Sequence, residues 1–231
     1  LSGRLLYRGT LSATQRAELY VLFREQYERT TPESFARDLN GWQWLLVLRD
    51  SWRSLQGFLP LALYESQPGE RRVSVLLSGD LVLRPDAWQA PELAREFLSN
   101  VLALSAGMVQ PTYWLLAASG FRSYRFLPSF ARDFWPRYDR ATPHEAQTLL
   151  DHLARERFTA AYDPARGVAR FGLGPLPRHA ALVELESARR QDPHSAYFAQ
   201  RNPGHADGDR LVCVTPILPD NFTPPARRLL H

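Results

Sequence analysis

The first residue of this sequence that chemistry could use is Asp80, a carboxylate in an apolar run. It follows Ser78 and Gly79 within residues 71–100, RRVSVLLSGDLVLRPDAWQAPELAREFLSN. A carboxylate among Val and Leu needs a partner, and one so placed is a candidate proton acceptor. The competing reading is that it ends a strand and satisfies backbone or Arg donors. Strict alternation over residues 73–83 sets Asp80 on one face with Ser74, Leu76, Ser78 and Val82, so Ser78 is its companion candidate. The same strand runs into a turn, Arg84-Pro85-Asp86-Ala87-Trp88-Gln89-Ala90-Pro91, and then at once into a helix. The first turn of such a helix has unpartnered N–H groups and suits an anion. A second polar cluster is Ser119, Arg122, Ser123, Tyr124 and Arg125. Its arginines suit a phosphate or a carboxylate, or else form a solvated helix face, while Tyr124 on base rates is a core tyrosine. Glu65 reads as a surface carboxylate.

Other reactive types carry less. His144 and His152 stand eight apart on one expected helix, not at the i, i+4 spacing of a helical zinc pair. His205-Ala206-Asp207-Gly208-Asp209 resembles a cation loop by composition alone, and no metal site is expected. Cys213 is the single cysteine. That excludes an internal disulfide framework and a cysteine zinc cluster. It sits between Val212 and Val214 and reads as a buried structural thiol. This usage is compatible with a cytoplasmic protein, which is the expected location. No apolar run reaches the length of a membrane span.

The elements that position these residues follow from periodicity. The 231 residues, 45% hydrophobic, suffice for one sizeable core. All 28 basic residues are Arg, and they alternate with acids for a net charge of +4. A nucleic-acid partner would demand a denser basic stripe. A short strand is expected over residues 4–10. A helix follows, capped by Ser12 with Gln15, with apolar positions from Ala17 to Tyr27. A second begins at Thr31-Pro32 and stops at Asn40-Gly41, where a left-handed end is expected. Strands over 42–49, 55–65 and 73–83 make an antiparallel meander, with Pro60 requiring a bulge or an edge. A helix after Pro91 and a strand over 113–118 add one parallel step. Residues 121–135 read as a helix kinked or split by Pro128. Beyond Pro136 come a helix to about Phe158, a short strand over 167–171, a Gly/Pro-rich loop over 172–177, a helix from Asp192-Pro193, a strand over 211–217 and a tail. The fold class is therefore α/β (α+β): a mixed, mostly antiparallel central sheet with flanking helices and a C-terminal helical extension. The chain divides as one domain over 1–231, with a core over 4–135, an extension over 136–210 and a closing strand over 211–217.

This order of elements resembles the GNAT N-acyltransferase superfamily. The likeness covers residues 4–135, with local stretches Phe35-Ala36-Arg37-Asp38-Leu39, Gln56-Gly57-Phe58, Ser78-Gly79-Asp80 and Ser119-Gly120-Phe121-Arg122-Ser123-Tyr124. The resemblance implies an acyl thioester donor, on coenzyme A or on the phosphopantetheine of an acyl carrier protein, and an amine acceptor on a small molecule or peptide. It implies Asp80 as base, Tyr124 as the acid near the leaving sulfur, and a donor site of Arg84, Ala87, Trp88, Gln89, Ala90, Ser119 and Arg122. The family's Gln/Arg-x-x-Gly-x-Gly/Ala loop corresponds to residues 84–90, and its glycines are absent here. Pro85 and Pro91 lack N–H groups and Asp86 repels phosphate, whereas a pyrophosphate cradle needs free donors. The loop then holds a donor with fewer phosphates, as a carrier-protein arm would be, or none, as in a non-catalytic binding module.

Overall fold

The computed structural model describes residues 1–171, 176–177 and 192–230. The strands are β1 (Ser2–Tyr7), β2 (Tyr27–Glu28), β3 (Trp44–Arg49), β4 (Leu55–Ser66), β5 (Val73–Ser78), β6 (Val82–Leu83), β7 (Thr112–Ala118), β8 (Tyr162–Asp163), β9 (Val168–Ala169), β10 (Leu176–Pro177) and β11 (Arg210–Pro216). The main sheet runs β1-β3-β4-β5-β7-β11-β9-β8, with β6 paired to β4. Only the β5–β7 pairing is parallel among the described strands. It needs a crossover, which α3 (Glu92–Ser105) supplies. The fold is thus the mixed, mostly antiparallel α/β sheet with flanking helices, in the order that the GNAT resemblance implies.

Local chemistry explains the helix starts. α1 (Ala13–Gln26) opens on a reciprocal Ser12–Gln15 capping box, and α2 (Pro32–Asn40) on a Thr31–Ser34 box with Pro32 in its first turn. α2 ends at Gly41 in a right-handed conformation (φ −74°), not a left-handed one, because Gly41 N–H still reaches the Asp38 and Leu39 carbonyls. The expected helix over 121–135 is two short ones, α4 (Phe121–Tyr124) and α5 (Phe126–Phe130). The break falls at Arg125. Pro128 then lies in the first turn of α5, where its missing N–H costs nothing. α6 (His144–Phe158) and the helix Pro193–Arg201 form where periodicity placed them. Of the expected loop over 172–177, residues 172–175 lie outside the described part, and Leu176–Pro177 pairs with Tyr27–Glu28. The tail carries a further short helix, Pro224–Arg228.

The sheet has two covered faces. Leu46, Leu61, Leu76, Trp114, Leu211 and Cys213 face α3, α4 and α5. On the other face, Leu45, Val47 and Phe58 pack against α1 and α2, while Val75, Leu77, Leu115 and Val212 pack against α6. A gap is left on that second face between α1–α2 and α6.

One irregularity overturns an expectation about the site. Residues 73–83 are not one continuous strand. Leu61 pairs with Ser78 and Phe58 with Val82, so Gly79, Asp80 and Leu81 stand opposite only Leu59 and Pro60. This is a β-bulge, and one extra residue flips the face of everything after it. Ser78 turns to the α3 face, where its hydroxyl accepts a hydrogen bond from Trp114 Nε1 at 2.9 Å. Asp80 turns to the opposite face. The two side chains were expected on one face and lie on opposite ones, although Ser78 as well as Asp80 borders the pocket on the second face. The bulge also accommodates Pro60: its carbonyl accepts from Gly79 N–H, and its missing donor faces the irregularity.

The bulge has a second consequence. β5 and β7 pair from Ser74↔Thr112 to Ser78↔Leu116. β7 then continues to Ala118 alongside β11, while the bulged chain turns to pair with β4 alone. The two central strands part there, opening the sheet between residues 79–83 and 117–119.

Candidate functional site

Three cavities meet at that parting. A pocket of about 490 Å³ lies on the second face between α1–α2 and α6. A narrow gap within the sheet is lined by Gln26, Tyr27, Asp80, Val82, Trp88 and Ser119. A groove of about 390 Å³ opens on the other side, formed by Trp88, Gln89 and Ala90 with Arg122, Arg125 and Phe126 of the α4–α5 region. Tyr27, Asp80 and Val82 border both pocket and gap, and Trp88 and Arg122 border both gap and groove. The three line up across the sheet as one path, pinched at the gap to a void of about 20 Å³.

Asp80 stands at the centre of the path. Its Oδ2 is 2.8 Å from Arg210 Nη2, and both side chains are largely buried, 13% and 23% exposed. Among the described residues, Oδ1 is buried and has no hydrogen-bond partner. Gln26 Oε1 and Trp88 Nε1, also on the gap, are likewise buried and unpartnered among those residues. Polar atoms left this way cost free energy unless water or a ligand engages them. Two acceptors and one donor along a slot suit an extended ligand that carries amide N–H and C=O groups. Tyr27 closes one wall. Burial, reinforced by the Asp80 charge and opposed by Arg210, pushes its hydroxyl far above the ordinary tyrosine pKa, so it stays protonated.

The pocket contains a second carboxylate that the sequence reading passed over. Asp38 follows Phe35 by three residues on α2 and precedes the buried Leu39, which brings it to the pocket wall. It keeps solvent contact, yet partial burial in the concave wall raises its pKa, against the pull of Arg210 and then Arg37. Arg210 was missed because nothing local marks it. It opens β11 near the other end of the chain and reaches Asp80 only through the sheet order. Its guanidinium also lies 5.0 Å from the Phe171 ring centroid.

Of the other expected residues, Trp88, Gln89, Ala90, Ser119 and Arg122 converge on the gap and groove. Arg122 lies over the Trp88 ring at 5.3 Å. Three do not converge. Arg84 turns toward α1 and β4, with Nη1 3.0 Å from Glu25 and Nε donating to the Leu55 carbonyl. Ala87 is buried, and its N–H is spent on the Arg84 carbonyl. Tyr124 is fully buried among Phe134, Tyr197 and Phe198, and its hydroxyl donates to the Pro136 carbonyl at 3.1 Å. It borders none of the three cavities. Cys213 is buried, and that burial pushes its thiol far above the ordinary range. Among the described residues no group of three His, Cys, Asp or Glu is placed to hold a metal ion, and no helix is long and apolar enough to cross a membrane.

No family model and no curated protein matches the chain. Among solved structures, it is similar to a conserved protein of unknown function from Enterococcus faecalis V583, at 15% identity and a TM-score of 0.40. That match covers 61% of this chain and 38% of the other, so the chain spans well under half of that protein's length. It is also similar to the GNAT family N-acetyltransferase YhbS of Escherichia coli, solved with CoA, at 15% identity and a TM-score of 0.39, over 56% of this chain and 69% of that one. A third is an aminoglycoside acetyltransferase from an uncultured soil metagenomic sample, solved with sisomicin, at 15% identity and a TM-score of 0.38, over 54% and 81%. Likeness at this distance concerns the course of the backbone, not activity or ligand.

Proposed function

We propose that the protein is an N-acyltransferase. An acyl thioester on a phosphopantetheine arm enters by the Trp88–Arg122 groove and lies in the gap between the parted strands. The acceptor amine occupies the pocket on the far face. The observation that carries this reading is the single path of groove, gap and pocket, with unpartnered Gln26 Oε1, Asp80 Oδ1 and Trp88 Nε1 along its narrowest part.

The chemistry is balanced within these parts. The ammonium loses a proton to a carboxylate, Asp80 or, through solvent, Asp38. The free amine nitrogen attacks the thioester carbonyl carbon, the N–C bond forms, and the tetrahedral oxyanion collapses with cleavage of C–S. The nitrogen sheds its second proton as the amide forms, and the departing thiolate takes up one proton, so the two balance. Tyr124 is not that proton's source, since its hydroxyl donates to the Pro136 carbonyl and lies off the path.

The donor is an acyl-CoA or an acyl carrier protein. The test incubates the protein with acetyl-CoA, a long-chain acyl-CoA and an acyl carrier protein, each with a panel of amines, and follows thiol release and the thermal midpoint. At least one donor should raise the midpoint, because a ligand that binds only the folded state stabilises it, and should release thiol with an amine present. Absence of both effects with every donor overturns the proposal and leaves the binding-module reading, which the glycine-poor loop favours.

A further inference from the structure

The pocket on the second face has more to say than that an amine fits. Its walls are aromatic: Phe23, Phe35, Trp42, Phe58, Phe158 and Phe171. Its charges are three cations, Arg37, Arg157 and Arg210, and two anions, Asp38 and Asp80. Arg210 and Asp80 neutralise one another at 2.8 Å. That leaves Asp38 against Arg37 and Arg157, a net charge of +1 by count. Neither Arg37 nor Arg157 has a carboxylate within salt-bridge distance among the described residues. Arg157 is held instead over the face of Trp42, 5.6 Å from the ring centroid. A guanidinium fixed by stacking keeps its N–H edge free for a planar anion. A pocket built for a polyamine would have the opposite balance, with carboxylates in excess.

We propose that the acceptor is an amino acid with a large apolar side chain: its carboxylate held by Arg157 and Arg37, its amine facing Asp38 and the unpartnered Oδ1 of Asp80, and its side chain against the aromatic wall. A cavity of about 490 Å³ takes a molecule of that size, with water to spare. Asp38 supports the arrangement, since partial burial lifts its pKa and makes an incoming ammonium a welcome partner. This inference rests on the acyltransferase reading for the word acceptor, but the binding it describes needs no donor.

Binding is therefore measured calorimetrically without donor, using L-phenylalanine, L-leucine, 2-phenylethylamine, 3-phenylpropanoate and an aminoglycoside. The two amino acids should bind. The amine lacking the carboxylate and the acid lacking the amine should each bind at least about tenfold more weakly, the worth of one charge-assisted contact. Arg157→Gln and Arg37→Gln sit on exposed positions and should fold normally. Each should weaken L-phenylalanine by about tenfold and leave 2-phenylethylamine unmoved, with Arg157→Lys restoring part of the loss. Equal binding of 2-phenylethylamine and L-phenylalanine, tighter binding of the aminoglycoside, or no binding of either amino acid overturns the inference. The two proposals fail differently. L-Phenylalanine that binds but releases no thiol from any donor sinks the acyltransferase and keeps the pocket assignment. Acylation of 2-phenylethylamine but not of L-phenylalanine does the reverse.

Discussion

Asp80 and Arg210 form a largely buried ion pair with one oxygen left over, and that combination separates stability from activity. Removing one partner leaves the other charge buried and uncompensated, so Arg210→Ala should cost about 3 kcal/mol in denaturant unfolding. Asp80→Leu with Arg210→Leu, which removes both, should cost clearly less than the sum of the single changes. If the proposal of Asp80 as base holds, Asp80→Asn should lower turnover by about a hundredfold or more, measured at a temperature where the variant remains folded. Asp38 has the opposite sign. Its folded pKa is raised by burial, so its ionised form opposes folding. The cost is absent below the unfolded Asp pKa and grows as pH rises through the folded value. Asp38→Asn should therefore stabilise at pH 7, by less than about 1 kcal/mol because the group keeps solvent contact. The gain should vanish when unfolding is repeated near pH 3. A gain that persists there assigns the effect to packing.

The bulge at Gly79–Leu81 is the element on which the site depends, and it was the least legible part of the sequence. The strands themselves were readable, because apolar runs bounded by Asp50-Ser51 and Pro68-Gly69 leave little choice, and so were α1 and α2, whose caps are written in Ser12–Gln15 and Thr31-Pro32. A bulge leaves no such mark. Residues 73–83 read as one uninterrupted strand-length run, and only pairing with β4 shows that one residue is surplus. Asp80 could be found as a carboxylate out of place, but its face, its partner Arg210 and its separation from Ser78 depend on tertiary register. Two glycines test the element. A Cβ on Gly57 would lie 2.7 Å from the Val82 carbonyl oxygen, which is backbone in β6 and cannot yield. A Cβ on Gly79 would meet the Trp42 ring at 2.8 Å, and a side chain can move. Gly57→Ala should thus cost about 2–3 kcal/mol, toward the upper end for overpacking, and Gly79→Ala about 1 kcal/mol. Gly79→Ala should in addition weaken ligand binding in the pocket, since Trp42 is one of its walls. Equal stability losses would show that β6 is free to shift.

At the scale of the whole molecule, the path crosses the sheet from the Trp88–Arg122 groove to the aromatic pocket, and the two ends differ in what they can hold. The groove is poor in anion-binding groups. Pro85 and Pro91 have no N–H, those of Ala87 and Ala90 are spent on the Arg84 and Ala87 carbonyls, and Arg84 is turned away to Glu25. Asp86 adds negative charge in the short helical turn Pro85–Gln89, while Glu92, which opens α3, is paired with the Leu1 ammonium at 3.3 Å. Arg122 and Arg125 remain, and Arg122 lies over Trp88. On the proposed reading, the nucleotide end of an acyl-CoA would find few partners, whereas a pantetheine arm would meet the unpartnered atoms of the gap. For an enzyme so built, recognition lies in the arm. An acyl-phosphopantetheine lacking the nucleotide should react with a kcat/KM within about tenfold of the corresponding acyl-CoA, a difference of no more than about 1.4 kcal/mol in transition-state binding. Raising salt should change that ratio little, because few phosphate contacts are there to be screened. Trp88→Ala should raise KM for both donors alike, having removed a wall that both use. An acyl-CoA more than about a hundredfold better than the truncated donor, with the advantage falling in salt, would instead place a phosphate site at Arg122 and Arg125.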